Sequence, residues 1–314
     1  GISRINLSDY KGAIEDYNKA IELKPDYAEA YNNRGVSSDN LSDYKGAIED
    51  YNKAIELKPN YADAYCNRGI SRINLSDYKG AIEDYNKATE LKPDYSDAYN
   101  GRGISRNNLS DYKGAIKDYN KAIELKPDYS DAYNGRGISR RNLSDYKGAI
   151  EDYTKATELK PNYADAYCNR GISRMNLSDN KGAIEDYDKA IELQPSLAEA
   201  YNGRGSSRDN LSDYKGAIED YNKAIELKPD YAEAYNNRGI SRKSLSNYKG
   251  AIKDYNKAIE LKPDNPNLYY NRGLARTALK ENDKAIADYQ KAADLYPAGN
   301  PFRLKALDAI KKLQ

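Results

Sequence analysis

The stretch NLSDYKGAIEDYNKAIELKP (residues 6–25) returns unchanged from Asn40 and nearly unchanged from Asn74, with further copies beyond. A fixed period overrides any inference from length, which alone would suggest about two ordinary domains. Pro25, Pro59, Pro93, Pro127, Pro161, Pro195, Pro229, Pro263 and Pro297 stand 34 residues apart, and only Pro266 and Pro301 leave that grid. Glycines keep the same interval from Gly35 to Gly273. The expected organisation is a partial unit over 1–27, followed by eight units: 28–61, 62–95, 96–129, 130–163, 164–197, 198–231, 232–265 and 266–299. A capping helix is expected over 300–314.

Within 28–61, Tyr31, Arg34, Ser38 and Leu41 recur at helical spacing, and so do Tyr44, Ala47, Ile48, Tyr51, Ala54 and Ile55. Asn40, Leu41 and Ser42 separate the two runs, with Ser42 the expected N-cap of the second. Pro59 stops the second run, because the residue before a proline resists helical geometry. Nothing reads as a strand. Units this short cannot each bury a core, so neighbours must stack into one continuous solenoid.

These residues resemble the tetratricopeptide repeat (TPR) family, whose 34-residue pattern is W-x2-L-G-x2-Y, A-x3-F, P. Here it reads Tyr31-x2-Arg34-Gly35-x2-Ser38, Ala47-x3-Tyr51, Pro59. Tyr stands for the Trp and the Phe, Arg for the Leu, and Arg or Ser for the first-helix Tyr. The resemblance implies an all-α fold, an α-solenoid wound as a right-handed superhelix. It also implies a concave groove, lined by first helices, that holds protein or peptide partners.

An arginine on the packing stripe needs an anion, since an unpaired buried charge is costly. Asp50 and its copies at 34-residue intervals supply one, which favours structural Arg–Asp pairs. The alternative is an arginine ladder for acidic or phosphorylated ligands. Near-balance, with 50 Lys and Arg against 49 Asp and Glu, favours the pairs.

The groove stripe carries recurring apolar residues, among them Ile70, Ile104, Ile138 and Ile172. Beside them run Asn33, Asn67, Asn169 and Asn237, interrupted by Gly101, Gly135 and Gly203. Asparagine offers both donor and acceptor, so a row of them can grip an extended backbone. The row resembles the asparagine ladder in the superhelical repeats of O-linked N-acetylglucosamine transferases. One position varies while its neighbours hold still: Ile5, Asp39, Ile73, Asn107, Arg141, Met175, Asp209, Lys243 and Thr277. It is read either as the seat of ligand specificity or as drift at an exposed site. The isoleucines could equally pack neighbouring first helices together.

Asn6, Asn40, Asn74, Asn108, Asn142, Asn176 and Asn210 each open an N-x-S acceptor motif, relevant only in an exported chain. Helix C-capping is the other reading of that row. The compartment is open: cytoplasm is the default, and export stays open because the chain begins in mid-unit.

Catalysis has little to work with. There is no histidine, Cys66 and Cys168 occupy one repeat position, and neither sits in a zinc spacing. No cofactor and no metal is expected. Balanced charge argues against nucleic acid as partner, and no apolar run reaches the roughly 20 residues that span a bilayer. Two functions remain. One is a non-catalytic scaffold for an extended peptide or partner helix. The other is a filament-forming assembler that self-associates through an uncapped N-terminal end.

Overall fold

The structure is a computed structural model that describes residues 1–314. It is all helical, with 19 helices in paired repeats and no strand. First helices span Ile2–Asn6, Ala28–Asn40, Ala62–Asn74, Ser96–Asn108, Ser130–Asn142, Ala164–Asn176, Ala198–Asn210, Ala232–Ser244 and Pro266–Ala278. Second helices span Tyr10–Leu23, Tyr44–Leu57, Tyr78–Leu91, Tyr112–Leu125, Tyr146–Leu159, Asn180–Leu193, Tyr214–Leu227, Tyr248–Leu261 and Asn282–Leu295. A last helix covers Pro301–Leu313. The chain forms two compact units, Gly1–Pro161 and Asn162–Gln314, and each is a stack of such hairpins.

The N-cap of the second helix is Asp43, not Ser42: its carboxylate accepts from Gly46 N at 3.1 Å. Ser42 instead ends the first helix, in the left-handed region at φ 62°. Asp43 N bonds Ser38 O and Ser42 N bonds Asp39 O, the paired bonds of a Schellman ending. Two roles that looked like one serine are split between neighbours because an aspartate caps as well as a serine. Ser8, Ser76, Ser110, Ser144, Ser178, Ser212 and Ser246 repeat the left-handed turn, and Lys280 takes that position in the last hairpin.

Alanines let the helices approach closely. Ala47, Ala54 and Ala64 are fully buried, and so is the Tyr51 ring. Gly35 is required by that ring, since a Cβ there would lie 2.7 Å from Tyr51 Cε1. The glycines that interrupt the asparagine row also lie against such a ring. Cβ atoms at Gly101, Gly135 and Gly203 would overlap Cζ of Tyr85, Tyr119 and Tyr187 in the preceding repeat.

Each second helix packs on the first helix of its own hairpin and on the next one within the unit, and consecutive first helices also touch. Within each unit the first helices therefore form a continuous face. At the C-terminal end, Ala306 and Ile310 are buried against Tyr289, Ala292, Ala293 and Tyr296. Phe302 stacks on Tyr296 with ring centroids 6.0 Å apart.

Candidate binding face

Arg34 reaches Asp50 through Nε (2.9 Å) and Nη2 (2.6 Å), and its Nη1 donates to Asn18 of the preceding hairpin at 2.7 Å. Every later repeat has the same fork onto its own aspartate, from Arg68–Asp84 to Arg272–Asp288. The structural pair is what forms. Sequence reading missed a second arginine on the same carboxylate: Arg106 Nη1 donates to Asp118 at 2.7 Å, and Arg72, Arg140, Arg174, Arg208, Arg242 and Arg276 do likewise in their repeats. The signal was available, since arginine recurs four residues after the first and Asp lies on the facing helix. Each first arginine also covers a tyrosine ring, with Arg34 Cζ 5.4 Å from the Tyr31 centroid. With guanidiniums so engaged, an arginine ladder for anions has few free forks.

The groove residues named from the sequence lie along the first helices, eight in one unit and four in the other. Asn67, Ile70, Ile73, Asn74 and Ile104 line one cavity of about 330 Å³ together with Cys66, Tyr85 and Asn100. Ile104, Ile172, Ile73 and Met175 are half-buried against core clusters, while Ile70 is 46% exposed. The apolar row therefore packs and faces solvent at once. Ile138 and Arg141 are half-buried, and Asn107 accepts from Ser139 Oγ at 3.3 Å. Asn169 is half-buried at the equivalent place in the other unit.

The asparagine row is partly committed. Asn67 Nδ2 donates to Asn32 Oδ1 at 3.1 Å, and Asn237 Nδ2 to Asn202 Oδ1 at 3.2 Å. These bonds join neighbouring first helices, and Asn33 accepts from Asn32 at 3.3 Å. In the second row, Asn40, Asn108, Asn142 and Asn176 are exposed, and each amide donates to the carbonyl four residues back at 2.8–2.9 Å. Asn210 Nδ2 donates to Asn180 Oδ1 at 3.0 Å. Asn6 and Asn74 are exposed at the ends of their helices.

The varying position is neither bare surface nor idle. Tyr51 OH donates to Asp39 Oδ2 and Ser71 Oγ to Asp39 Oδ1, both at 2.7 Å. Tyr221 OH and Ser241 Oγ hold Asp209 in the same way, at 2.9 and 2.7 Å. Thr277 lies 3.0 Å from Tyr289 OH. Where the position is Ile5 or Ile73, the hydroxyl of Tyr17 or Tyr85 is buried without a partner. The residue thus decides whether a buried tyrosine hydroxyl is satisfied.

Asp39 shapes a cavity of about 280 Å³ with Val36, Asn40, Tyr44, Asn67 and Ile70. Asp209 shapes one of about 350 Å³ with Ser206, Asn210, Tyr214, Asn237 and Ile240. Burial pushes both carboxyls above the ordinary range, against the pull of their serine and tyrosine bonds, and Asp43 and Asp213 add to the rise. A raised folded pKa means the fold prefers the neutral acid, so this stability is present at low pH and lost as pH rises through the folded value. Asp39→Asn should therefore melt higher than the parent at pH 7, with a smaller advantage at pH 4. Melting curves at the two pH values test this, and an advantage that shrinks towards neutrality contradicts it.

Burial pushes the Cys66 thiol up to about 12, which suits a packing residue and not a nucleophile. No group of three or more His, Cys, Asp or Glu comes together to hold a metal ion. No helix is long and apolar enough to cross a membrane.

Known families match this chain repeat by repeat. Family models described as TPR repeat match residues 5–37, 41–75, 139–178, 211–245 and 241–279. Models described as tetratricopeptide repeat match 62–95, 96–129, 164–197 and 266–298. No curated protein matches. Among solved structures, the APC/C hetero-tetramer Cut9-Hcn1 aligns over 95% of this chain at 20% identity, with a TM-score of 0.66. This chain spans 58% of that one. YrrB, described as a TPR protein with an unusual peptide-binding site, is 28% identical over 60% of this chain and 96% of its own, with a TM-score of 0.50. A tetratricopeptide repeat protein from Parabacteroides merdae ATCC 43184 aligns over 80% of this chain and 98% of its own, at 18% identity and a TM-score of 0.60.

Proposed function

Because the chain belongs to the tetratricopeptide repeat family, we propose that it is a non-catalytic scaffold holding an extended peptide or a partner helix along its first helices. The observation that carries this reading is the pair of adjoining cavities along successive first helices, both lined by Asn67, Ile70 and Asn74, with Ile104 in one of them. Apolar side chains half-open to solvent supply contact area, and neighbouring amide oxygens supply acceptors for backbone N–H groups. Repetition then gives many modest contacts along one face, more than a single hairpin can offer. YrrB, whose description includes a peptide-binding site, supports the reading by analogy.

A partner purified on the wild-type protein from its native source provides the test. Ile104→Ser with Ile138→Ser should weaken its binding at least about tenfold, the loss of roughly 1.4 kcal/mol or more from two apolar contacts. Unchanged affinity with native helicity would overturn the reading.

A further inference from the structure

We propose that the cavities at Asp39 and Asp209 are two equivalent sites for a primary ammonium, the end of a lysine side chain on the bound segment. This rests on the first-helix face being the partner-binding face.

The two cavities are one constellation repeated. Asp39, Asn40, Tyr44, Tyr51, Asn67 and Ile70 each have a counterpart 170 residues on, five periods away, at Asp209, Asn210, Tyr214, Tyr221, Asn237 and Ile240. No other repeat has an aspartate at this position.

Charge singles them out. Every other carboxylate that is buried or half-buried has a cation beside it. The eight second-helix aspartates have arginines. Glu29 has Lys58 at 2.8 Å, Asp16 the terminal amine at 2.8 Å, and Glu281 has Lys284 at 3.2 Å. Asp39 and Asp209 are half-buried, form no ion pair, and hold only neutral hydroxyls. A carboxylate offers about four acceptor positions, so each keeps capacity beyond those bonds.

The surroundings are acceptors too. At the first site Asn40 Nδ2 is committed to Val36 O and Asn67 Nδ2 to Asn32 Oδ1, which leaves their amide oxygens available. At the second, Asn210 Nδ2 is committed to Asn180 Oδ1 and Asn237 Nδ2 to Asn202 Oδ1. Asn237 Oδ1 accepts one long bond from Asn236, 3.3 Å, and retains a second lone pair. One carboxylate among amide oxygens matches a group with three donors and no acceptor, which an ammonium is. A guanidinium fits less well, because Tyr and Ser hydroxyls already occupy both carboxylate oxygens that its planar fork would take. Volumes of about 280 and 350 Å³ leave room for a four-carbon stem along Ile70 or Ile240. Burial of the carboxyl without a cation, already seen in its upward shift, is the cost that an incoming ammonium would offset.

The probe is Nα-acetyl-lysine-N-methylamide, titrated into the full chain and followed by amide chemical shifts. Two saturable sets of shifts are expected, one around Asp39 and one around Asp209. The Nε-acetylated probe should produce neither. Asp39→Asn should weaken the first site at least tenfold and leave the second as an internal control of folding; Asp209→Asn should do the reverse. Absence of saturable shifts at both cavities, equal shifts with the acetylated probe, or shifts that survive the asparagine variants would each overturn the proposal. Partner binding lost in the isoleucine variants, with no ammonium response, would sink this inference and spare the scaffold reading. An ammonium response with partner binding indifferent to those isoleucines would do the opposite.

Discussion

Asp118→Ala should destabilise the Gly1–Pro161 unit by about 3–5 kcal/mol, the range for removing one partner from a buried ion pair. Asp118 is 3% exposed and holds two guanidiniums, Arg102 through Nε (3.1 Å) and Nη2 (2.7 Å), and Arg106 through Nη1 (2.7 Å). Truncation leaves the largely buried Arg102 with no anion, and Arg106 with only the exposed Asp111, 3.8 Å away. The protein contains its own control. At Asp50 the second arginine is missing because Ser38 stands in its place, and Arg34 is the more exposed, at 25% of its side chain. Asp50→Ala should therefore cost clearly less. Urea unfolding of both variants at constant m separates the cases. Equal losses would mean that the second arginine contributes nothing, and a loss under about 1 kcal/mol at Asp118 would mean that the cluster is not a desolvated one.

Gly137→Ala should also destabilise, by about 1–3 kcal/mol, although the position is helical. Two effects oppose each other. Alanine is the better helix former by about 1 kcal/mol. Its methyl, however, would lie 2.7 Å from Tyr153 Cε1 and 2.9 Å from Cδ1, and that ring is completely buried. A ring packed on every side cannot yield as a flexible side-chain end would, so the clash wins. Tyr153→Leu should relieve part of the loss in the double variant, a coupling that thermal or urea unfolding can read. A stabilised Gly137→Ala would show that the ring has room to move.

Much of this was legible because a repeated sequence states its architecture through its period. The prolines and glycines at 34-residue steps mark hairpin after hairpin, and Arg34 on a packing stripe demanded the aspartate that the next helix supplies. What the sequence hid depends on three-dimensional neighbours. Ser42 and Asp43 are both good caps, and only backbone geometry shows which one caps and which one turns. The varying position read as specificity or drift because a linear pattern cannot show Tyr51 and Ser71 converging on Asp39 from two different helices. A serine recurring at one position of seven first helices, from Ser37 to Ser241, was the available hint.

Site-specific photo-crosslinking tests the central claim most directly. A photoreactive residue at Ile104, on the first-helix face, should trap the purified partner, and one at exposed Lys117 on the second helix should not. Trapping from Lys117 and not from Ile104, with both variants helical, would contradict the account.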